Sequence, residues 1–299
     1  MTDPATTRRP PAVRPGRIAL YAALSLGAVV MLTPFVWMLL TALKPFAELG
    51  ESTWFPHHVH HVQWGNFADA MNAAPFGRYF LNSLIMAVGQ TLITVVLATS
   101  AGYALARTPI RGRGLVLGFT IAMIMVPAYV IVIPKFLIVR SIPFFGGNDW
   151  LGQGGTGWLD SWWALIVPGA LAPLYVFLAR QFYVDLPGEL ADAARIDGLG
   201  EIGIWARVMT PLIKPAVITI AVFQFQSAWN DFLWPLLVTR TDRMRPIQLG
   251  LAVFSKPDIA VQWNYVMAGT VLATLPMIAL FLVAQRYFVE GMASAGLKG

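Results

Sequence analysis

The sequence contains no cysteine, which excludes disulfides, thiolate nucleophiles and cysteine metal sites. Charge is scarce as well. Asp, Glu, Lys and Arg make up 12% of 299 residues, about half the share in an ordinary soluble domain. No catalytic constellation is visible, and neither an enzyme activity nor a cofactor is expected. Histidine is confined to His57, His58, His60 and His61. Clustered imidazoles can bind a transition metal, but no carboxylate or cysteine adjoins these four, so no metal site is expected. A phosphate-loop motif is also missing. Gly291 to Lys298 has suitably spaced glycines, but Leu297 intervenes and no Ser or Thr follows Lys298.

What is present is apolar. Hydrophobic residues make up 57% of the chain and mean hydropathy is +0.63, in long uncharged runs that demand a non-aqueous solvent. A helix needs about 20 such residues to cross the hydrocarbon core. The runs imply an all-α, polytopic membrane protein of about six spans, near 18–43, 80–106, 114–139, 161–181, 215–238 and 263–286. Around this transmembrane domain (18–291) lie a basic tail at 1–17, a polar loop at 182–214 and a terminal tail at 292–299. The first run exceeds the apolar core of a signal peptide and reads as a retained span.

The net charge of +6 comes without a basic cluster long enough for nucleic acid. With the N-terminus inside, 13 of the 21 Lys and Arg fall on the cytoplasmic side, so both termini and the 182–214 loop are expected there. Tryptophan agrees: Trp54, Trp64, Trp150, Trp158, Trp162, Trp163 and Trp263 fall in outer loops or at outer span ends. Pro34, Pro127, Pro168, Pro173, Pro235 and Pro276 lie inside spans, where each frees a backbone carbonyl.

The 182–214 loop is the longest polar stretch expected in the cytoplasm. Asp185 is placed to cap a helix whose first turn holds Pro187 and Glu189. Ala191, Ala193 and Ala194 favour that helix, and Gly198 is placed to end it. A second helix is expected through Ile204, Trp205, Val208, Met209 and Leu212, with Pro211 and Pro215 at its exit. Physically this is either an amphipathic linker on the membrane surface or a small-faced docking element for a partner.

Glu189-Leu-Ala-Asp192-Ala193-Ala194-Arg-Ile-Asp197-Gly198, followed by Met209-Thr-Pro211-Leu-Ile-Lys214-Pro215, resembles the EAA motif of ABC importer permeases. Asp192 stands where the family has Glu, one methylene shorter. Ser227-Ala-Trp229-Asn230-Asp231-Phe-Leu-Trp234-Pro235, Phe80-Leu-Asn82-Ser83 and the terminal Gln285–Gly299 segment are similar to oligosaccharide permeases of the maltose type. The resemblance covers nearly the whole chain from about Pro34, apart from the histidine cluster and the glycine-rich outer loop 146–157. It implies a type I ABC importer permease fold in the bacterial inner membrane and a half-pore for a di- or oligosaccharide. Glu189, Asp192, Ala193, Ala194, Asp197 and Gly198 would couple it to a cytoplasmic ATPase dimer. A second related permease and an extracytoplasmic sugar-binding protein are the other implied partners.

Asp231 is the only acidic residue within an expected span, and its charge there costs about 2.5–3.5 kcal/mol unless it faces protein or water. With Gln224, Trp229 and Asn230 it forms a candidate substrate pathway, since amides and an aromatic face suit a sugar. Glue between helices is the competing reading. Rival functions are a permease for glycerol-phosphate-type solutes and an ion-driven secondary transporter, which would want paired intramembrane carboxylates.

Overall fold

A single unbroken helix of 32 residues, Phe76–Arg107, forms the spine of the molecule; at 1.5 Å per residue it is about 48 Å long. The computed structural model describes residues 15–50, 54, 62–252 and 262–296, with side chains as far as Arg286. The histidine cluster and the last three residues of the terminal tail lie outside the described residues, as does the basic tail up to Arg14.

In chain order the helices are α1 (Pro15–Ala42), α2 (Gly65–Asn72), α3 (Phe76–Arg107), α4 (Arg113–Met125), α5 (Ala128–Arg140), α6 (Trp162–Ala170) and α7 (Pro173–Val184). They are followed by α8 (Glu189–Ile196), α9 (Glu201–Leu212), α10 (Lys214–Trp229), α11 (Leu233–Val238), α12 (Ile247–Leu251) and α13 (Trp263–Gly296). No strand occurs among the described residues. Three helices are long and apolar enough to span a membrane alone, and the number rises to six when each bent pair counts as one span. The expected all-α, multi-pass architecture is what the structure has.

Three of the expected spans are not continuous rods. The run 114–139 splits into α4 and α5, bent by 105° at Val126-Pro127, because proline forces its predecessor out of helical geometry. Leu171-Ala172 and Pro173 break 161–181 into α6 and α7, bent by 43°. The run 215–238 is α10, then the non-helical Asn230-Asp231-Phe232, then α11. Pro34, Pro134, Pro168 and Pro276 are instead absorbed inside helices.

The spine packs against α7, α10 and α6. Gly102 allows the closest approach: a Cβ there would lie 2.8 Å from Cβ of Ala179 and 2.9 Å from the backbone nitrogen of Arg180. The outward faces of the long helices are apolar, as lipid requires; Leu115, Met125 and Met31 are each more than two-thirds exposed.

Candidate functional site

Two regions hold the sequence-derived candidates: the polar loop between α7 and α10, and a cleft beside the break between α10 and α11.

The loop begins with a correction. Asp185 does not cap α8. It closes the end of α7, where its backbone N–H donates to Gln181 and Tyr183 carbonyls. The first turn of α8 starts at Gly188, whose carbonyl accepts from Ala191 and Asp192. The chain continues in turn geometry after Val184, so the carboxylate is one turn too early to reach the orphan N–H groups of α8. At the other end the expectation holds. Gly198 has φ +85°, with Leu199 N–H donating to Ala194 and Gly198 N–H to Arg195. This is the paired-bond αL closure that glycine permits.

α8 is strictly two-faced. Ala191 and Ala194 are buried among Tyr103, Ala179, Tyr183 and Ile204. Glu189, Asp192, Ala193 and Ile196 face out, at the i, i+3, i+4, i+7 spacing of one helix side. Of the six coupling candidates, Ala194 therefore belongs to the core. Glu189, Asp192, Ala193, Asp197 and Gly198 are exposed.

The helix expected through Ile204–Leu212 is wound more widely. Ile204–Met209 forms i→i+5 turns, which bring Ile204 and Met209, five apart and both fully buried, onto one face. Leu212, which the 3.6-residue pattern placed on the apolar side, is 49% exposed. α9 meets α10 at 86°, with Pro215 in the first turn of α10.

The loop is held by residues that sequence reasoning passed over. Arg107, at the end of α3, donates from Nε (3.0 Å) and Nη2 (2.6 Å) to the Tyr183 carbonyl, and also to that of Leu186. Tyr103 donates its phenolic hydrogen to Glu201 Oε2 at 2.8 Å. Arg195 bridges two carboxylates, Nε to Glu201 Oε1 at 2.9 Å and Nη1 to Asp192 Oδ1 at 2.6 Å. The Arg195 and Tyr103 hydrogen bonds hold the Glu201 carboxyl below its ordinary range, against a smaller opposing effect of burial. Ile196 and Ile202, flanking Gly198, are 87% and 79% exposed, though nothing in this polar loop calls for apolar surface. Their signal was an isoleucine on either side of a helix-ending glycine.

The cleft encloses about 680 Å³ between α5, α6, α10 and α11, lined among others by Gln90, Tyr129, Lys135, Ser227, Asn230 and Asp231. Asp231 Oδ1 accepts the backbone N–H of Trp234 at 3.2 Å, capping α11. Lys135, near the end of the expected 114–139 span, lies within α5 with Nζ 4.2 Å from the Trp234 ring centroid.

The four pathway candidates separate. Asn230 and Asp231 line the cleft. Gln224 is buried and bonded to Gln90 Oε1 at 3.0 Å and the Gly169 carbonyl at 3.2 Å. Trp229 is fully buried, its indole N–H donating to Ala273 at 3.0 Å and its ring packed on Phe80 and Phe225. Both act as glue between helices.

The family model described as binding-protein-dependent transport system inner membrane component matches residues 95–294. The chain is 32% identical over 287 residues to the arabinooligosaccharides transport system permease protein AraQ of Bacillus subtilis, covering 95% of this chain and 96% of that one. It is 30% identical to the trehalose/maltose transport system permease protein MalG of Thermococcus litoralis, with 95% and 97% covered. A solved bacterial ABC transporter involved in import of the acidic polysaccharide alginate contains a chain of the same fold. Its TM-score is 0.75 at 22% identity, with 95% of this chain and all of that one aligned.

Proposed function

Since the chain belongs to the family of binding-protein-dependent transport system inner membrane components, we propose that it is the half-pore of an ATP-driven importer for a di- or oligosaccharide. The observation that carries the reading is the outward face of α8 with the αL turn at Gly198. The helix rests on its small residues, Ala191 and Ala194, and offers the opposite side to a partner. A cytoplasmic ATPase dimer docks there, a second permease completes the pore, and a sugar-binding protein delivers substrate from outside. Both termini and the 182–214 loop face the cytoplasm.

The cleft is the substrate pathway of this half. Asn230, Ser227 and Asp231 offer the donors and acceptors that sugar hydroxyls need, with Tyr129 as an aromatic wall. The sugar assignment also leans on the relatives, whose names describe permeases for arabinooligosaccharides and for trehalose or maltose.

Reconstitution in liposomes tests the proposal. Uptake of a radiolabelled oligosaccharide should require ATP, the ATPase and the binding protein together; uptake by this chain without an ATPase would sink it. Gly198→Ala forces a side chain into the αL region, at a cost of about 1–2 kcal/mol, and should lower transport per ATP hydrolysed while leaving membrane insertion intact.

A further inference from the structure

We infer that Tyr103 and Glu201 are positioning residues that carry movement of α8 onto the spine helix α3. This rests on reading the 182–214 loop as the part that meets the ATPase. By chain connection the loop is joined only to α7 and α10, yet side chains of a third helix hold both of its halves.

Tyr103 and Arg107 are four residues apart and share a face of α3. Arg107 grips the loop entrance through the Tyr183 and Leu186 carbonyls. Tyr103 grips the second half through Glu201 at 2.8 Å. The other Glu201 oxygen accepts from Arg195 at 2.9 Å, and Arg195 reaches Asp192 on the outward face of α8 at 2.6 Å. Three short bonds therefore connect the docking face to α3. Each involves an ionised partner, the stronger class of hydrogen bond.

Among the helices that hold the loop, α3 is suited to pass a displacement on. α7 and α10 each belong to a pair bent at a break, whereas α3 is continuous. Halfway along, Gln90 donates to the Leu165 carbonyl at 2.8 Å and Thr94 to the Ala170 carbonyl at 2.9 Å, holding α6 near its middle and at its last residue. At the far end Asn82 donates to the Arg243 and Arg245 carbonyls, both at 2.9 Å, and Ser83 Oγ accepts the Ile247 N–H at 2.8 Å. A push on α8 thus reaches the segment 243–247 through one rigid element whose side chains hold the moving parts at each level.

The decisive variant is Tyr103→Phe in the assembled transporter, with its ATPase and binding protein, in proteoliposomes. It removes one hydroxyl and keeps the ring packed edge-on against Tyr183, 5.6 Å between centroids. Transport per ATP hydrolysed should fall several-fold, with ATPase attachment and basal hydrolysis unchanged. Glu201→Gln should give the same loss, and the double variant should be no worse than either single, because one chain of contacts is being cut. A wild-type transport-to-ATP ratio in Tyr103→Phe overturns the inference. So do losses that add in the double variant, or a Glu201→Gln complex that sheds its ATPase, which would make Glu201 a docking residue. Failure of the underlying loop reading looks different: Gly198→Ala and Ile196→Asp would leave both attachment and coupling intact.

Discussion

Gln224 donates its side-chain amide to Gln90 Oε1 at 3.0 Å, joining α10 to α3 across 134 residues of chain in a fully buried setting. Gln90 passes the link on to the Leu165 carbonyl, and Gln224 also reaches Gly169. Amide pairs suit this place because each supplies donor and acceptor where no water can substitute. Gln224→Leu should cost about 1 kcal/mol, within the range of measured hydrogen bonds between membrane helices. Thermal unfolding in detergent reads the loss. A transport defect without loss of stability would return Gln224 to the substrate pathway.

The docking face makes a second prediction, in which the apolar residues outrank the acidic one. Asp192 is already engaged by Arg195, whereas Ile196 and Ile202 are exposed and touch little. Ile196→Asp or Ile202→Asp should weaken ATPase attachment by at least about tenfold, the size of a typical interface hot spot. Asp192→Asn should leave attachment nearly unchanged. Co-purification of the ATPase with each variant measures both, and equal retention in all three would remove the isoleucines from the contact.

The legible part of this protein was what local rules determine. Uncharged runs located the spans, and the alanines and Gly198 of α8 declared a small-faced helix with a glycine stop. What escaped depended on distant partners. Arg107 looked like a charge that merely marks a span end, and nothing local tells that it reaches Tyr183, 76 residues on. Lys135 falls within the expected 114–139 span, and nothing local tells that its ammonium lies over the ring of Trp234, about a hundred residues on. Trp229 and Gln224 had the chemistry for a sugar, and only packing shows that their polar atoms are already committed.

At the opposite end of the spine from the polar loop, Asp160 holds the start of the 240–246 segment. Oδ1 accepts the Arg240 and Thr241 N–H groups at 2.9 and 3.1 Å, and Oδ2 accepts the Thr241 hydroxyl at 2.8 Å. Burial acts against the charge, but these bonds and the Arg240 charge outweigh it, and the carboxyl lies below its ordinary range. A group whose folded pKa is depressed contributes stability above its unfolded value, and this is lost as pH falls through the folded one. Asp160 is partly exposed, so solvent screening keeps the effect small. Asp160→Asn tolerates the φ of +59° and should flatten the loss of thermal stability below about pH 4, near the unperturbed value. An unchanged pH profile would count against this clamp.

Lys135 and Asp231 offer the most direct test of the cleft. Asp231 has a structural duty, the cap on Trp234 N–H, and a carboxamide can keep it, since Asn caps nearly as well as Asp. Asp231→Asn therefore preserves the break between α10 and α11 while removing the charge, whereas Asp231→Ala should cost about 1 kcal/mol of stability as well. Lys135→Met removes the ammonium from the Trp234 ring, worth about 1 kcal/mol at a partly exposed site, and frees an aromatic face for stacking. If the cleft carries sugar, Asp231→Asn and Asn230→Ala raise the substrate concentration for half-maximal uptake, and basal ATP hydrolysis stays at the wild-type rate. Lys135→Met shifts that concentration too, in the direction set by whether the transported sugar gains more from the ring than from the ammonium. Uptake curves for neutral and acidic oligosaccharides, superimposable with wild type in all three variants, would move the substrate path to the other half of the pore.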